Sequence, residues 1–166
     1  MILVTVGTHE QPFDRLIKAI DDLKADGTLT EDVIIQTGFS TYIPQHCEWQ
    51  KLFPYPEMVR LVHEARIVIT HGGPSSFIMP LQIGKLPIVV PRMKKYGEHV
   101  NDHQVKFCRE VALRDGNILL VEDETKLGAC IADHGAIVAG RKTKVSSNNE
   151  RFVENFRKIT DELFRN

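Results

Sequence analysis

The segment 68–76 joins an apolar run to a short turn with chemistry-bearing side chains. Its turn contains His71, Gly72, Gly73, Pro74, Ser75 and Ser76. A glycine pair lets a ligand approach the backbone, and proline suits the first position of a helix. The first N–H groups of a helix attract anions, and serine hydroxyls donate further hydrogen bonds. The segment predicts a phosphate-binding turn between a strand and a helix; a plain turn that merely needs glycine is the alternative.

A second candidate loop follows the apolar run 2–6. Gly7 and Thr8 are suited to contacting phosphate. His9 and Glu10 are candidates for a catalytic base that takes a proton from an attacking hydroxyl. Solvated loop residues without a catalytic role are the alternative for this pair.

Apolar runs and helical patterns alternate along the chain. We predict strands over 2–6, 33–36, 48–53, 66–70, 86–90 and 118–121. We predict helices over 12–25, from 56 to just before 66, and over 75–83, 103–114, 124–132 and 150–166, with a loosely patterned stretch over 135–149. Continuous apolar strands separated by helices are typical of a parallel sheet with helices on both faces. The expected fold class is therefore α/β, a single Rossmann-like doubly wound parallel sheet over residues 1–166.

In such a sheet, ligands bind beyond the carboxyl ends of the strands. The loop after 2–6 and the turn at 71–76 should therefore face one crevice. The stretch 91–102 is a long polar connection after the strand 86–90, which makes it a third functional candidate. Its charged and titratable residues are Arg92, Lys94, Lys95, Glu98 and His99.

Composition limits the class of protein. With 166 residues and 42% hydrophobic content, the chain suits one domain with a substantial core. A net charge of −1 gives no electrostatic reason to expect nucleic acid as a partner. No apolar run is long enough for a membrane span or a signal peptide, so we expect a soluble, cytoplasmic protein. The three cysteines are widely spaced, and no metal-binding motif is present, so we predict no metal site.

The spacing of the motifs resembles a known family. Four motifs occur in order: HGGPSS at 71–76, Gly84-x-x-Pro87, Pro91 and NDHQ at 101–104. Their order and spacing resemble the nucleotide-sugar box of GT-B glycosyltransferases, and most closely the glycosyltransferase family 28 C-terminal domain. The chain is most similar to single-domain catalytic subunits of two-component enzymes. These are the bacterial exopolysaccharide beta-1,4-galactosyltransferases and the eukaryotic dolichol-pyrophosphate N-acetylglucosaminyltransferase.

The resemblance implies a UDP-sugar donor, no cofactor and no metal. It assigns His71, Gly73, Ser75 and Ser76 to the donor diphosphate and places the segment 53–58 near uracil. The donor-binding residues that it predicts are Gly7, Thr8, Tyr55, Met58, His71, Gly72, Gly73, Pro74, Ser75, Ser76, Glu98, His99, Asn101, Asp102 and Gln104.

Two departures from the family pattern affect this assignment. Asp102 and Gln104 resemble the pair that holds the transferred sugar, but the family pair is usually adjacent and here His103 lies between them. Asn101 or His103 could therefore take one role, and Asn101 or Asp102 could also cap a helix. Many relatives have a ribose-binding glutamate where this chain has Met79, so ribose must be recognised differently or nucleotide selectivity is altered.

A GT-B enzyme normally holds its donor between two Rossmann-like domains, and this chain has room for one. The resemblance therefore implies a membrane-anchored partner subunit that binds a lipid-linked saccharide acceptor and recruits this chain to the cytoplasmic face. The predicted last helix, with Phe152, Phe156, Ile159 and Leu163 on one face, is a candidate docking element; packing on its own sheet is the alternative. The implied activity is inverting transfer of galactose or N-acetylglucosamine to a polyprenyl-pyrophosphate saccharide in exopolysaccharide or capsule synthesis. A non-catalytic regulatory or scaffold subunit is the alternative from another class.

Overall fold

The computed structural model describes residues 1–114 and 116–141. In this part of the chain, six strands form one sheet in the order β3-β2-β1-β4-β5-β6, and every pairing is parallel. The strands are β1 Ile2–Thr5, β2 Val33–Gln36, β3 Glu48–Gln50, β4 Ile67–His71, β5 Ile88–Val90 and β6 Leu119–Leu120. The chain reverses its winding direction between β1 and β4, which is where open α/β sheets bind ligands.

Helices cover both faces of the sheet. They are α1 Asp14–Ala25, α2 Tyr55–Glu64, α3 Pro74–Gln82, α4 His103–Arg114 and α5 Leu127–Ala139. Alternate residues of β1 point to opposite faces: Ile2 and Val4 pack in a core with α1 and α5, whereas Leu3 packs with α2. A third cluster joins α3 and α4 to β5 on the second face. The prediction of a doubly wound parallel sheet is confirmed.

Several predicted boundaries were wrong because packing overrides local sequence signals. β4 extends to His71, so this side chain belongs to the strand rather than to the turn. The predicted helix 124–132 is a short 3-10 turn, Glu124–Lys126, followed by α5, which continues through Gly135 to Ala139. The stretch predicted as a loose pattern from 135 onward therefore begins as helix. The predicted helix over 150–166, with its possible docking role, lies outside the described residues.

Within the described ranges, no helix is both long and apolar enough to cross a membrane.

The loop between β2 and β3 is fixed to α1 by a buried carboxylate. Asp21 accepts hydrogen bonds from the Tyr42 hydroxyl (2.8 Å) and from the backbone N–H groups of Gln45 (2.9 Å) and His46 (2.8 Å). Burial alone raises the pKa of Asp21, but these donors stabilise the ionised form and lower the pKa below its usual value. The loop conformation therefore depends on one charged side chain.

We expect Asp21→Asn to lower the free energy of unfolding by about 1–3 kcal/mol at pH 7, because an amide cannot accept all these hydrogen bonds. Urea denaturation measures the change. Asp22→Asn is the matched control: Asp22 is exposed and forms an exposed ion pair with Lys18, so its effect should stay within about 0.5 kcal/mol. Since the folded-state pKa is lowered, the contribution of Asp21 should disappear as the pH falls from about 4 through that lower pKa. Equal stability of wild type and Asp21→Asn at pH 7 would contradict this account.

Candidate functional site

A cleft of about 800 Å³ opens at the carboxyl edge of the sheet, over the switch between β1 and β4. One side contributes polar groups from the loops after β1, β4 and β5. The other side is mainly apolar. The lining residues are Thr5, Gly7, Thr8, His9, Glu10, Gln36, Phe53, Tyr55, Met58, Val62, Val68, His71, Ser75, Ser76, Met79, His99 and Gln104. The cleft thus brings together eleven of the predicted site residues: Gly7, Thr8, His9, Glu10, Tyr55, Met58, His71, Ser75, Ser76, His99 and Gln104.

The imidazole of His71 fills the space that two glycines leave open. A Cβ atom on Gly73 would lie 2.2 Å from its Cε1 atom, and one on Gly7 would lie 2.3 Å from its Nε2 atom. Gly7 also has a φ of +75°, in the left-handed region that favours glycine. These glycines are therefore required for packing against His71, a reason that the sequence did not reveal.

The hydrogen bonds of His71 define its protonation. The Gly73 N–H donates to Nδ1 at 3.0 Å, and Nε2 lies 2.8 Å from Ser76 Oγ. Burial, with a further contribution from the positive charge of Arg92, lowers the pKa of His71 to about 4. A neutral ring that accepts at Nδ1 carries its proton on Nε2, so it donates to Ser76. The Ser76 hydroxyl then has its own proton available for a ligand in the cleft.

Gln104 joins two loops and faces the cleft. Its Oε1 atom accepts from the N–H of Gly72 at 3.0 Å and from the N–H of Arg92 at 3.1 Å. These bonds fix the carboxamide orientation, and the amide nitrogen remains the group that can donate to a ligand. A Cβ on Gly72 would lie 2.9 Å from Cys108 Sγ and 3.0 Å from Gln104 Cβ, so this glycine is also needed for packing.

Two histidines stack at the polar side of the cleft. The ring centroids of His9 and His99 are 5.0 Å apart, with an interplanar angle of 25°. His9 Nε2 lies 3.0 Å from Gln11 Oε1. Because an amide oxygen only accepts, Nε2 carries a proton and the lone pair of neutral His9 lies on Nδ1. Burial, together with the nearby His9 and Arg92, lowers the pKa of His99. His9 Nδ1 is thus a candidate proton acceptor, with Glu10 beside it.

Six predicted donor-binding residues do not line the cleft: Gly72, Gly73, Pro74, Glu98, Asn101 and Asp102. Glu98 is 3% exposed, and its carboxylate accepts two hydrogen bonds from Arg15 and one from the Met93 N–H. Asp102 accepts from the Lys94 N–H, and Asn101 accepts from the His103 N–H at the start of α4. Arg92 is likewise completely buried, so two charged residues of the stretch 91–102, Arg92 and Glu98, face the protein interior.

The structure adds cleft residues that the sequence prediction left out. Thr5 and Gln36 form part of the floor, where Gln36 Nε2 donates to Thr5 Oγ1 at 3.1 Å. Val62 and Val68 extend the apolar side, and Met79 lies there too. Thr5 and Gln36 end β1 and β2, and Val62 lies on α2, whereas Val68 lies within β4 and Met79 on α3. The positions of Thr5 and Gln36 at strand ends were the only sequence signal of a place in the cleft. Among the lining residues described, Glu10 is the only carboxylate, and none is lysine or arginine.

No group of three or more His, Cys, Asp or Glu side chains suited to a metal ion occurs within 1–114 and 116–141.

Comparisons with known proteins identify the family. The family model described as the glycosyltransferase family 28 C-terminal domain matches residues 1–160. The chain belongs to this family. Its doubly wound sheet is accordingly that of the C-terminal half of a GT-B glycosyltransferase.

The solved structures with a similar fold include two glycosyltransferases. The glycotransferase of kitacinnamycin is 16% identical with a TM-score of 0.56, and the match covers 81% of this chain and 34% of that one. The glycosyltransferase SnogD from Streptomyces nogalater is 16% identical with a TM-score of 0.49, covering 72% of this chain and 30% of that one. The family 28 chain therefore spans about a third of the length of these proteins. No curated protein sequence matches it.

We expect Gly73→Ala to destabilise the fold by about 1–3 kcal/mol, because the new methyl group would overlap the His71 ring. Gly135→Ala is the matched control: nothing lies within 4 Å of its Cβ position, so helix propensity should stabilise α5 by about 0.5–1 kcal/mol. Urea denaturation of both variants measures the contrast. A Gly73→Ala protein as stable as wild type would show that the ring does not occupy this space.

We expect the His71 ring to stay neutral, with its proton on Nε2, until the pH falls to about 4. Nitrogen-15 NMR of the imidazole, assigned with a His71→Gln variant, measures tautomer and titration. Since the unfolded chain takes up this proton near its usual pKa of about 6.5, the fold should lose stability as the pH falls from about 6.5 to 4. Titration of the folded-state ring near 6.5 would contradict the assigned environment.

Proposed function

We propose that this family 28 chain is the donor-binding, catalytic subunit of a UDP-sugar-dependent inverting glycosyltransferase. It would transfer galactose or N-acetylglucosamine to a polyprenyl-pyrophosphate-linked saccharide in exopolysaccharide or capsule synthesis. The observation that carries the proposal is the meeting of Ser75 and Ser76, the Gln104 amide and His9 Nδ1 around one cleft, in a chain of this family.

The diphosphate is proposed to lie at the start of α3. The Ser76 hydroxyl, oriented by His71, donates to it, and Ser75 adds a second hydroxyl at the positive end of the helix dipole. The described lining residues include no lysine or arginine, so neutral hydrogen-bond donors would bind the diphosphate. Preorganised dipoles of this kind stabilise the charge that develops on a leaving diphosphate.

The apolar side of the cleft suits the nucleoside. Phe53 and Tyr55 offer aromatic surface, and Met58 and Met79 line the same side. A base can stack on such rings while its polar edge meets backbone groups. The thioether of Met79 is only a weak hydrogen-bond acceptor, so it would pack against the ribose rather than hold its hydroxyls.

In the proposed reaction, the acceptor hydroxyl oxygen bonds to the anomeric carbon as the bond from that carbon to the diphosphate breaks. Attack on the face opposite the leaving group inverts the configuration. The hydroxyl proton passes to a base, for which His9 Nδ1 and Glu10 are the candidates, and UDP leaves with the bonding electrons. No metal or cofactor is invoked.

The acceptor is proposed to be held by a second, membrane-anchored subunit, which would bring this chain to the cytoplasmic face of the membrane. Family membership supports this arrangement. Stable complex formation followed by transfer to a lipid-linked saccharide would test it.

We expect Ser76→Ala to weaken UDP binding about tenfold or more, since a hydrogen bond to a charged group is worth about 1.5–3 kcal/mol. Gln104→Ala should weaken UDP-sugar binding more than UDP binding, because its amide is proposed to contact the sugar. Isothermal titration calorimetry with UDP, UDP-galactose and UDP-N-acetylglucosamine measures both effects. Thr30→Ala is the control, since this exposed residue precedes β2 at the opposite edge of the sheet.

Absence of UDP binding by wild-type protein with its partner present would contradict the proposed function. Binding without transfer by the assembled pair would contradict the catalytic role and favour the regulatory or scaffold alternative.

A further inference from the structure

Arg92 is a fully buried arginine behind the cleft. Its Nη1 atom donates to the carbonyl oxygens of Gln11 at 2.7 Å, Pro12 at 3.2 Å and Glu98 at 3.1 Å. Its Nη2 atom donates to the carbonyl of Val6 at 2.9 Å. Burying a cation is costly unless hydrogen bonds compensate, and here one guanidinium engages four backbone carbonyls.

These four carbonyls belong to two different loops. Val6, Gln11 and Pro12 bracket the loop between β1 and α1, which carries His9. Glu98 lies in the loop between β5 and α4, directly before His99. The stacked rings of His9 and His99 therefore belong to the two loops that Arg92 connects by hydrogen bonds.

A second arginine holds the later loop from the other side. Arg15 donates to both carboxylate oxygens of Glu98, at 2.9 and 3.0 Å, and to the Pro91 carbonyl at 3.1 Å. With its carboxylate held in this way, Glu98 presents its backbone carbonyl to Arg92. Arg15 therefore fixes one loop, whereas Arg92 joins this loop to the one that carries His9.

We propose that Arg92 is a positioning residue, which sets the separation of His9 and His99 by bonding to the carbonyls of both loops. Its consequence for catalysis rests on the proposed function, because His9 is there a candidate base. A lysine cannot reproduce the effect, since its compact ammonium group lacks the planar fork that reaches four carbonyls.

The hydrogen bonds from Arg92 to the two loops form a brace between them. The positive charge of Arg92 has an electrostatic effect in addition to this brace. Burial is the main cause of the lowered pKa values of His71 and His99, and the positive charge of Arg92 contributes to both. Arg92→Lys keeps the charge and removes the fork, whereas Arg92→Met removes both. The two variants therefore separate the geometric effect from the electrostatic one.

NMR of the imidazole rings tests the brace in the chain alone. In Arg92→Lys and Arg92→Met, the ring-current shifts caused by stacking of His9 on His99 should be lost. Arg92→Met should raise the pKa of His71 and His99 more than Arg92→Lys does, because it also removes the positive charge. Arg60→Lys is the matched control, because Arg60 is exposed and pairs with Glu57 and Glu64 on its own helix. Folded Arg92→Lys protein with wild-type ring shifts would overturn the proposal.

Activity of the assembled enzyme tests the consequence. We expect Arg92→Lys to lower kcat by about tenfold to a hundredfold, the scale of a misplaced catalytic group. UDP affinity should change by less than about threefold, because Ser75, Ser76 and Gln104 remain in place. An unchanged kcat in a folded variant would overturn the positioning role. If wild type binds no UDP and transfers no sugar, the proposed function fails while the ring-shift experiment still decides on the brace.

If neither Arg92 variant folds, the wild-type chain supplies the test. The Arg92 Nη–H protons should exchange slowly with water, show through-hydrogen-bond couplings to the carbonyl carbons of Val6 and Gln11, and shift together with the His99 ring on pH titration. Arg60 should show none of these signatures. Rapid exchange at Arg92, or Nη shifts that do not follow the His99 ring, would overturn the proposal.

Discussion

The position of the His71 ring is the constraint on which the candidate site depends. The imidazole occupies the space left by Gly7 and Gly73, accepts the Gly73 N–H, and orients the Ser76 hydroxyl. These contacts require a neutral ring, and burial provides one by disfavouring the charged form. One side chain thereby couples the loop after β1 to the start of α3, which are the two segments that border the switch point of the sheet.

Buried charged side chains lie behind the cleft at the same edge of the sheet. Arg15 and Glu98 pair there, and Arg92 bonds to backbone carbonyls of two loops. Buried charges of this kind are a poor source of net stability, because the desolvation cost offsets much of the attraction. Their directional hydrogen bonds do impose one arrangement on segments that have no regular secondary structure. In a cleft built from loops, that conformational specificity is what keeps the functional groups in a fixed geometry.

The candidate donor site is therefore polar without being strongly charged on its surface. The described lining residues contribute hydroxyls, an amide, imidazoles and one carboxylate, while the arginines lie behind them. Such a site recognises an anion through oriented dipoles and is less sensitive to salt than a surface cluster of lysines. This arrangement agrees with the nearly neutral composition of this family 28 chain, which gave no sign of a bulk attraction to anions.

The sequence by itself determined the fold class, the succession of most elements and the place of the cleft, because hydrophobic periodicity and glycine turns are local signals. The resemblance to family 28 also assigned His71, Ser75, Ser76 and Gln104 to donor binding, and the structure brings these four residues to one cleft. Only the tertiary structure decided which polar residues face the ligand and which face inward. Arg92 and Glu98 lie in a stretch that the sequence identified only as a polar loop, yet the structure pairs them with distant residues, Val6 for Arg92 and Arg15 for Glu98, up to 86 residues away. No local pattern encodes such a contact, because it exists only once parallel strands bring the loops together.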